Sequence, residues 1–307
     1  MRAVVVVLAI VVVIFATLFL GGNYALRLAT IFAMYATLAL SWNIIGGLAG
    51  YPSFATAAFF GLGTYASAIL QSSGMPMLLA WPLGGLTAAV FAAIIGVAIL
   101  HLKGHYFAIA SLALVEVLRE LVNINDQLTG GGMGLNLPVT QGGVTQQATY
   151  FLTAMLALTI ITFLSAAAVH RGKLGFALRC IQQNEDAAVM LGVNARVYKA
   201  AAFTLSAVFP GVAGGIYASW VHYIDPSDVF DILLSVKPLV MVLVGGLGTL
   251  FGPVIGAAVF LALEEVVWRS FLTIHAAVLG ALIVALILFL PNGLMSITRR
   301  RFGVGKV

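Results

Sequence analysis

Residues 79–100 read LAWPLGGLTAAVFAAIIGVAIL, a stretch that contains no charged side chain. The hydrocarbon core of a bilayer is about 30 Å thick, and about 20 helical residues are enough to cross it. Backbone polar groups must be satisfied inside the bilayer, and a helix does this within a single segment. The stretch therefore predicts a transmembrane helix.

The composition of the whole chain agrees with this prediction. Of 307 residues, 62% are hydrophobic and 8% are charged, whereas about 25% of the residues of a soluble domain are charged. Such a chain cannot cover a water-exposed globule with charge, which excludes a water-soluble protein. The pI is near 9.5, but the basic residues form no stripe with interleaved aromatics, so we expect no nucleic-acid partner.

Further apolar runs cover most of the chain. They are long and continuous, which is typical of membrane helices and not of alternating barrel strands. The runs are residues 3–20, 26–46, 54–71, 105–123, 149–169, 200–221, 238–268 (interrupted) and 274–291. The first run precedes no A-x-A-like cleavage site, so we interpret it as a retained helix. We predict an all-α polytopic transmembrane bundle, a single domain over 1–307 surrounded by lipid, with about eight full spans and a glycine-broken re-entrant segment.

The distribution of charge predicts which connections face the cytoplasm. The connection 170–199 carries five lysines and arginines, and three arginines stand at 299–301. Lys and Arg collect on the cytoplasmic side, which places both segments inside and the acidic connection 222–237 outside. Counting spans from an inside N-terminus then requires 238–268 to enter and leave on the same side. We predict a re-entrant hairpin that is broken within 244–253 by glycine and proline.

Two glycine-rich interruptions stand beside apolar runs. Gly-Gly-Leu occurs at residues 46–48 and again at 245–247. Paired breaks of this kind are typical of transport sites built from discontinuous helices. The predicted translocation path includes Gly46, Gly47, Gly50, Pro52, Gly245, Gly246 and Gly248. Close packing of helices through small residues is the alternative interpretation. Glycines with the spacing that suits it are Gly211 and Gly215, and Gly248, Gly252 and Gly256.

Ionisable residues within an apolar run are costly and are functional candidates by default. Glu116, Arg119 and Glu120 share one face of the run 105–123, so they can form ion pairs among themselves. The alternative is that Glu116 lines the translocation path as a polar gate. We interpret Glu264, Glu265 and Arg269 as interfacial residues beside Trp268, without a functional role.

Motifs for catalysis are missing from the sequence. Neither a P-loop nor a G-x-S-x-G elbow occurs. His101 and His105 have a helical spacing that suits a metal, but Gly104 lies between them and no third ligand is adjacent. Cys180 stands alone and can form no intramolecular disulfide. We therefore expect no catalytic residues, no cofactor, no metal site and no ATP binding by a P-loop in this chain.

The connection 170–199 is long for a segment without a function. Asn184 can cap a short helix, Glu185 and Asp186 suit its first turn, and Gly192 can end it. So short a helix is unstable alone, and its small alanines allow another protein to approach closely, so we expect a partner there. The residues expected to form this contact are Glu185, Ala187, Ala188 and Gly192.

Residues 185–192, EDAAVMLG, resemble the E-A-A…G coupling loop by which permease subunits of ABC importers dock on their ATPase subunits. The residue between Glu185 and Ala187 departs from the strictest form of that loop. Other stretches resemble the permeases of branched-chain amino-acid importers, in particular the M-type subunit of the Liv system. In that family's order they are residues 43–50, 59–65, 104–112, 128–134, 245–253 and 290–294.

The resemblance implies a subunit of an inner-membrane importer that supplies a path and a coupling helix but no chemistry. It also implies the partners, which are a second permease subunit, two ATP-binding subunits and a periplasmic amino-acid-binding protein. Two alternatives remain open at this point. One is a secondary transporter or channel that works without an ATPase, and the other is the same kind of permease acting on urea or another small solute.

Overall fold

The computed structural model describes residues 22–138, 142–270, 280 and 293–295. The predicted helix 3–20, the arginines at 299–301 and almost all of the run 274–291 lie outside the described residues. Within the described ranges the chain is helical apart from connections and two strands of two residues each. The all-α fold class is therefore confirmed for the described chain.

The helices follow the predicted apolar runs closely. Those of the first half are α1 Asn23–Trp42, α2 Thr56–Ser72, α3 Met77–Ile99, α4 His105–Ile124 and the short α5 Asp126–Thr129, and a π-helical turn, Asn43–Gly47, continues α1. Those of the second half are α6 Val144–Arg171, α7 Lys173–Gln183, α8 Glu185–Met190, α9 Ala195–Val221, α10 Pro226–Val229, α11 Leu233–Gly245 and α12 Gly252–Ser270. Gly131–Met133 form one 3₁₀ turn, and strands β1 Leu135–Asn136 and β2 Tyr223–Ile224 pair antiparallel.

Four of the described helical segments are long and apolar enough to cross a bilayer. They are Asn23–Gly47, Met77–Ile99, Val144–Arg171 and Ala195–Val221. Helix α2 is shorter, and α4 carries three charged residues near its end. The number of about eight full spans therefore stays a prediction.

Helix α9 packs against α2 and α3 at glycines, where the helix backbones approach each other closely. A Cβ atom built on Gly211 would lie 2.7 Å from the Ala88 Cβ and 2.9 Å from the Gly85 Cα, and one built on Gly63 would overlap the Gly211 backbone. A Cβ on Gly215 would meet the Ser67 hydroxyl. The small-residue packing predicted for Gly211 and Gly215 is thus confirmed, because without glycines these helices could not approach so closely.

Connections gather at two ends of the bundle. At one end, which we call the loop end, Tyr51 and Leu100 bond to residues of the connection 184–199. At the other end, β1 pairs with β2 next to the C-terminus of α9. We call it the cavity end, because the cavity described below opens there. Helix α1 joins the two, with Asn23 at the cavity end and its π-helical turn at the loop end. If the basic connection is cytoplasmic, the cavity end faces outward.

Helices α11 and α12 form the hairpin predicted for 238–268. The helix is interrupted between Gly245 and Gly252, and the arms return side by side, since the Lys237 Nζ lies 2.7 Å from the Glu264 Oε1. Gly256 packs on the Met241 carbonyl so closely that a Cβ would collide with it. The turn of the hairpin points to the loop end, and both arms point to the cavity end.

Candidate functional site

The two predicted interruptions meet each other. The Asn43 side chain accepts a hydrogen bond from the Gly248 N–H at 3.0 Å and donates one to the Thr249 carbonyl at 2.9 Å. A Cβ atom on Gly47 would lie 2.8 Å from the Gly248 nitrogen. The Asn43 amide therefore fastens the end of α1 to the turn of the hairpin, and we call this contact the glycine junction.

Local geometry explains the glycines of the junction. The Trp42 ring occupies the place where a Cβ of Gly46 would be, and its Nε1 donates to the Ser53 carbonyl at 2.7 Å. Gly246 and Gly248 have φ angles of 131° and 65°, which side chains disfavour. The two interruptions that the repeated Gly-Gly-Leu triplets marked are thus in contact, although the sequence predicted neither this contact nor the part of Asn43 in it.

The other predicted path residues lie around the junction. Gly46, Gly47, Gly245 and Gly246 are buried, Gly248 and Pro52 are half-buried, and Gly50 is exposed. The connection 170–199 reaches this region from two sides: the Gln182 amide donates to the Gly47 carbonyl, and the His170 Nε2 lies 3.3 Å from the Gly248 carbonyl. The junction is therefore at the loop end of the bundle.

The helix α8, for which we predicted a coupling role, has the predicted local structure. The Asn184 side chain accepts from the Ala187 N–H at 3.0 Å and so caps the helix, and Gly192 ends it with a φ angle of 87°. Ala188 is buried, whereas Ala187 and Gly192 are exposed. Beside them Met190 is 90% exposed, and Val189 and Leu191 are also exposed. An apolar surface of this kind, on a loop end rich in charge, is typical of a protein contact.

Glu185 points from α8 into the bundle, where it belongs to a closed network. The Lys199 Nζ donates to the Glu185 Oε1 at 2.8 Å, to the Tyr51 hydroxyl at 2.9 Å and to the Leu100 carbonyl at 3.0 Å. The Tyr51 hydroxyl in turn donates to the Glu185 Oε2 at 2.6 Å. All three ammonium protons of Lys199 thus have acceptors, and its side chain is only 3% exposed. We call this set the lysine network.

The electrostatics of the network favour a charged Glu185. Burial alone would raise the pKa of the Glu185 carboxyl, but hydrogen bonds from Lys199 and Tyr51 outweigh it and hold the pKa below its ordinary value. Burial and the same carboxylate raise the pKa of the Tyr51 hydroxyl, which therefore remains a donor. A buried ion pair of this kind adds little stability as a whole, but removing one partner costs about 3–5 kcal/mol.

Glu116 lies apart from both the junction and the network. Its carboxylate pairs with Arg119 at 2.8 Å, and both side chains are about 40% exposed on the outer face of α4. The predicted pairing within α4 is thereby confirmed. Glu120 is exposed and accepts a weak bond from Asn123.

A cavity of about 1110 Å³ opens at the other end of the bundle. Its walls come from α1, the start of α6, the end of α9 and both arms of the hairpin, with single residues of α2 and α10, and Glu116 is not among its lining residues. The Lys237–Glu264 pair lines it, with each side chain 20% exposed, and the Lys237 Nζ lies 5.4 Å from the centre of the Tyr35 ring. The interpretation of Glu264 as an interfacial residue is therefore wrong, because the hairpin brings it into the wall of the cavity.

Sequence reasoning missed the Lys237–Glu264 pair, although a signal was present. Lys237 stands 8 positions before Gly245, and Glu264 stands 12 positions after Gly252. A hairpin folded at that break brings the two within about one helical turn of each other, a distance that their long side chains can span, so their charges could have been paired in advance. Glu265 also lines the cavity and accepts a hydrogen bond from Tyr24. The side chains of Trp268 and Arg269 lie outside the described residues.

Across the part of the chain that the structure describes, no group of three or more His, Cys, Asp or Glu side chains is placed to hold a metal ion. The described residues form a cavity at one end of the bundle and the exposed helix α8 at the other, and hydrogen bonds connect α8 to the residue that follows the interruption of α1.

Comparison with known proteins decides the family. The family described as "branched-chain amino acid transport system / permease component" matches residues 24–290. The chain belongs to this family. The permease is 29% identical to the high-affinity branched-chain amino acid transport system permease protein LivM of Escherichia coli, over 95% of this chain and 74% of the relative.

Two further relatives show the range of similarity. The permease is 25% identical to LivH of Escherichia coli, also a high-affinity branched-chain amino acid transport permease, over 87% of this chain and 92% of LivH. It is 28% identical to the nucleoside ABC transporter permease protein NupC of Lactococcus lactis over 44% of this chain and 46% of NupC. No solved structure matches the chain. The family resemblance seen in residues 43–294 is confirmed.

Proposed function

We propose that this permease is a membrane subunit of an ATP-driven importer that moves branched-chain or similar amino acids across the inner membrane. The relatives LivM and LivH support the substrate class. One observation supports the mechanism above all: Glu185 of the exposed coupling helix is bonded to Tyr51, which directly follows the interruption of α1.

The proposed role of α8 is to receive the motion of an ATPase subunit. Met190 and Leu191 are exposed and offer an apolar contact, with Ala187 and Gly192 leaving room for a close approach. The inward face of α8 holds Glu185, so a push on the helix is passed to Tyr51 and Lys199. Contacts that are packed and hydrogen-bonded move as a unit, which is how such a displacement reaches a distant site.

The glycine junction is the element that we propose to move in response. The Asn43 amide ties α1 to the hairpin turn, so the two interruptions shift together. Glycines and Pro52 beside them allow the change in backbone angles, and rocking around the junction opens the path to alternate sides. Among the predicted path residues, Glu116 has the weakest support, because it is paired outside the cavity.

The proposed assembly has further subunits. A second permease, expected to be a paralogue because both LivM and LivH are similar to this chain, would complete the path. Two ATP-binding subunits would dock on the loop end, and a periplasmic binding protein would deliver the amino acid to the cavity end. In this arrangement residues 1–307 form one transmembrane domain, with 170–199 in the cytoplasm.

The test is to replace Gly192 by aspartate in the assembled importer and to measure both ATP hydrolysis and amino-acid uptake in proteoliposomes. We expect the number of amino acids transported per ATP to fall by about tenfold, because a charge at the contact uncouples the helix from the ATPase. Normal coupling in Gly192→Asp would contradict the proposal.

Gly74→Asp is the matched control for this experiment. Gly74 and Gly192 have φ angles of 88° and 87°, and neither has an atom within 4 Å of an added Cβ. Both variants therefore carry the same backbone strain and the same charge. Gly74 lies in the turn between α2 and α3, far from the loop end, so we expect its coupling to match the wild type.

A second solute class has one observation in its favour. The similarity to NupC, a nucleoside permease, covers less than half of each chain. Uptake of labelled leucine and of labelled adenosine by the same proteoliposomes separates the two. Flux driven by an ion gradient through this chain alone would instead support a transporter that needs no ATPase.

A further inference from the structure

The cavity at the cavity end reaches about halfway across the bundle. Asn23 and Tyr35 both line it and stand twelve positions apart on α1, which corresponds to about 18 Å along a helix axis. The π-helical turn that ends α1 at the opposite end follows after a similar distance. The Lys237–Glu264 pair, level with the Tyr35 ring, therefore lies near the middle of the bundle.

Ionisable side chains at such depth face protein or water-filled cavities, and they mark substrate pathways. Lys237 and Glu264 retain 20% exposure, and the surface they expose belongs to the cavity wall. The pair thus presents a cation and an anion side by side to whatever fills the cavity. Arg27, nearer the rim, adds a second cation to the lining, and within the described ranges no ion pair engages it.

The rest of the lining is mixed. Apolar side chains of Ile31, Met34, Leu234, Leu261 and Phe60 line the cavity, and so do the carboxylates of Asp228, Asp231 and Glu265. Ligand sites typically combine an apolar wall with a few polar groups that set the orientation. The volume of about 1110 Å³ is slightly above the range for such sites, which is about 300–1,000 Å³, so water accompanies any small occupant.

We propose that the cavity is a binding site for a zwitterionic amino acid with an aliphatic side chain, held by the Lys237–Glu264 pair. Lys237 binds the carboxylate, Glu264 binds the ammonium group, and the side chain packs on Ile31 and Leu234. The bound zwitterion replaces the direct contact of the two charges, so neither is left unpaired. This proposal rests on the proposed function and adds to it the residues that meet the substrate.

The first experiment measures occupancy without a receptor protein. Cys180 is the single native cysteine, so Cys180→Ser combined with Ile31→Cys places one thiol on the cavity wall of the assembled importer. We expect millimolar leucine to slow labelling of this thiol several-fold, and the effect to disappear with Lys237→Gln. Leucine amide lacks the carboxylate and 4-methylpentanoate lacks the ammonium group, so neither is expected to protect. Absence of protection by leucine, or equal protection by all three compounds, overturns the proposal.

The second experiment separates binding from a purely structural ion pair. We expect Lys237→Gln to raise the KM of ATP-driven leucine uptake by about tenfold, since a hydrogen bond to a charged group is lost. The double variant Lys237→Glu with Glu264→Lys keeps an ion pair between the two arms but exchanges the charges. The amino acid would then have to reverse while its side chain stays against the same apolar wall, so we expect no recovery. Recovery of uptake in the double variant shows that the pair only joins the helices and overturns the proposal.

Arg119→Gln is the matched control, because it removes a cation from an ion pair outside the cavity. Its KM is expected to equal that of the wild type. Uptake by the wild-type importer is measured first. If the wild type transports no amino acid, the proposed function fails; if it does and Lys237→Gln has no effect, only the present inference fails.

Discussion

The described part of the permease includes two Lys–Glu pairs of the same chemistry in opposite surroundings. At the loop end, Lys199 is 3% exposed and has three protein acceptors, of which Glu185 is one. At the cavity end, Lys237 and Glu264 are each 20% exposed and line an open cavity. The first pair is complete and passes motion between helices in the proposed mechanism, whereas the second leaves room for the proposed ligand. The two pairs have the same residue types, so what distinguishes them is how deeply the side chains are buried and how many hydrogen-bond acceptors the lysine has.

The largest effect, a loss of stability, is expected from breaking the Lys199–Glu185 pair of the lysine network. Lys199→Met leaves the Glu185 carboxylate, the Tyr51 hydroxyl and the Leu100 carbonyl without their buried partner. We expect the free energy of unfolding to fall by about 3–5 kcal/mol, as measured by thermal unfolding of the detergent-solubilised permease.

Lys103→Met is the control for this variant. Lys103 pairs with Asp186 at 3.4 Å, and both side chains are well exposed. An exposed pair contributes about 0–1 kcal/mol, so a small loss is expected. If both variants lose the same stability, the distinction between a closed network and a surface pair does not hold.

An intermediate effect is expected from protonating Glu185. Its pKa is lowered in the folded state, because the hydrogen bonds of Lys199 and Tyr51 outweigh burial. The stabilisation is therefore fully present above the ordinary pKa of a glutamate and is lost as the pH falls through the lowered pKa. Unfolding followed from neutral to acidic pH should show this loss in the wild type, and Glu185→Gln should show less of it. An identical pH dependence in the two proteins would exclude Glu185 as the group responsible.

The smallest effect is expected at the half-exposed pair on α4. Glu116→Gln removes a partner of Arg119 at a site outside the cavity and away from the lysine network. Such a pair contributes about 0–1 kcal/mol, and we expect uptake and membrane abundance close to those of the wild type. A strong loss of uptake at normal abundance would place Glu116 on the path, as the polar-gate interpretation requires.

Much of the fold could be predicted because bilayer physics acts on single segments. The apolar runs 79–100 and 200–221 correspond to α3 and α9 within a few residues, since length and hydropathy alone decide whether a segment can be a membrane helix. The cap at Asn184 and the ending at Gly192 were predictable for a similar reason, because caps depend on neighbouring residues.

The residues of the site were harder to predict because their partners are distant in sequence. Lys199 meets Tyr51, 148 positions away, and Asn43 meets Thr249, 206 positions away. Nothing in a local pattern distinguishes Lys199 from the other basic residues of its connection. The glycine triplets were found only because they repeat. The Lys237–Glu264 pair was not predicted, because the charges on the two arms of the predicted hairpin were not compared with each other.

The sequence by itself determined that this chain is a bundle of membrane helices with a basic connection, two glycine breaks and a short capped helix. Each of these is a property of a segment and of the solvent around it. Only the tertiary structure decided that the two breaks touch, that Glu185 turns inward to Lys199, and that Lys237 and Glu264 share a cavity wall. The physical reason is that hydrogen bonds and ion pairs between distant segments depend on how the helices pack, and the close approach of α2, α3 and α9 through their glycines sets that packing.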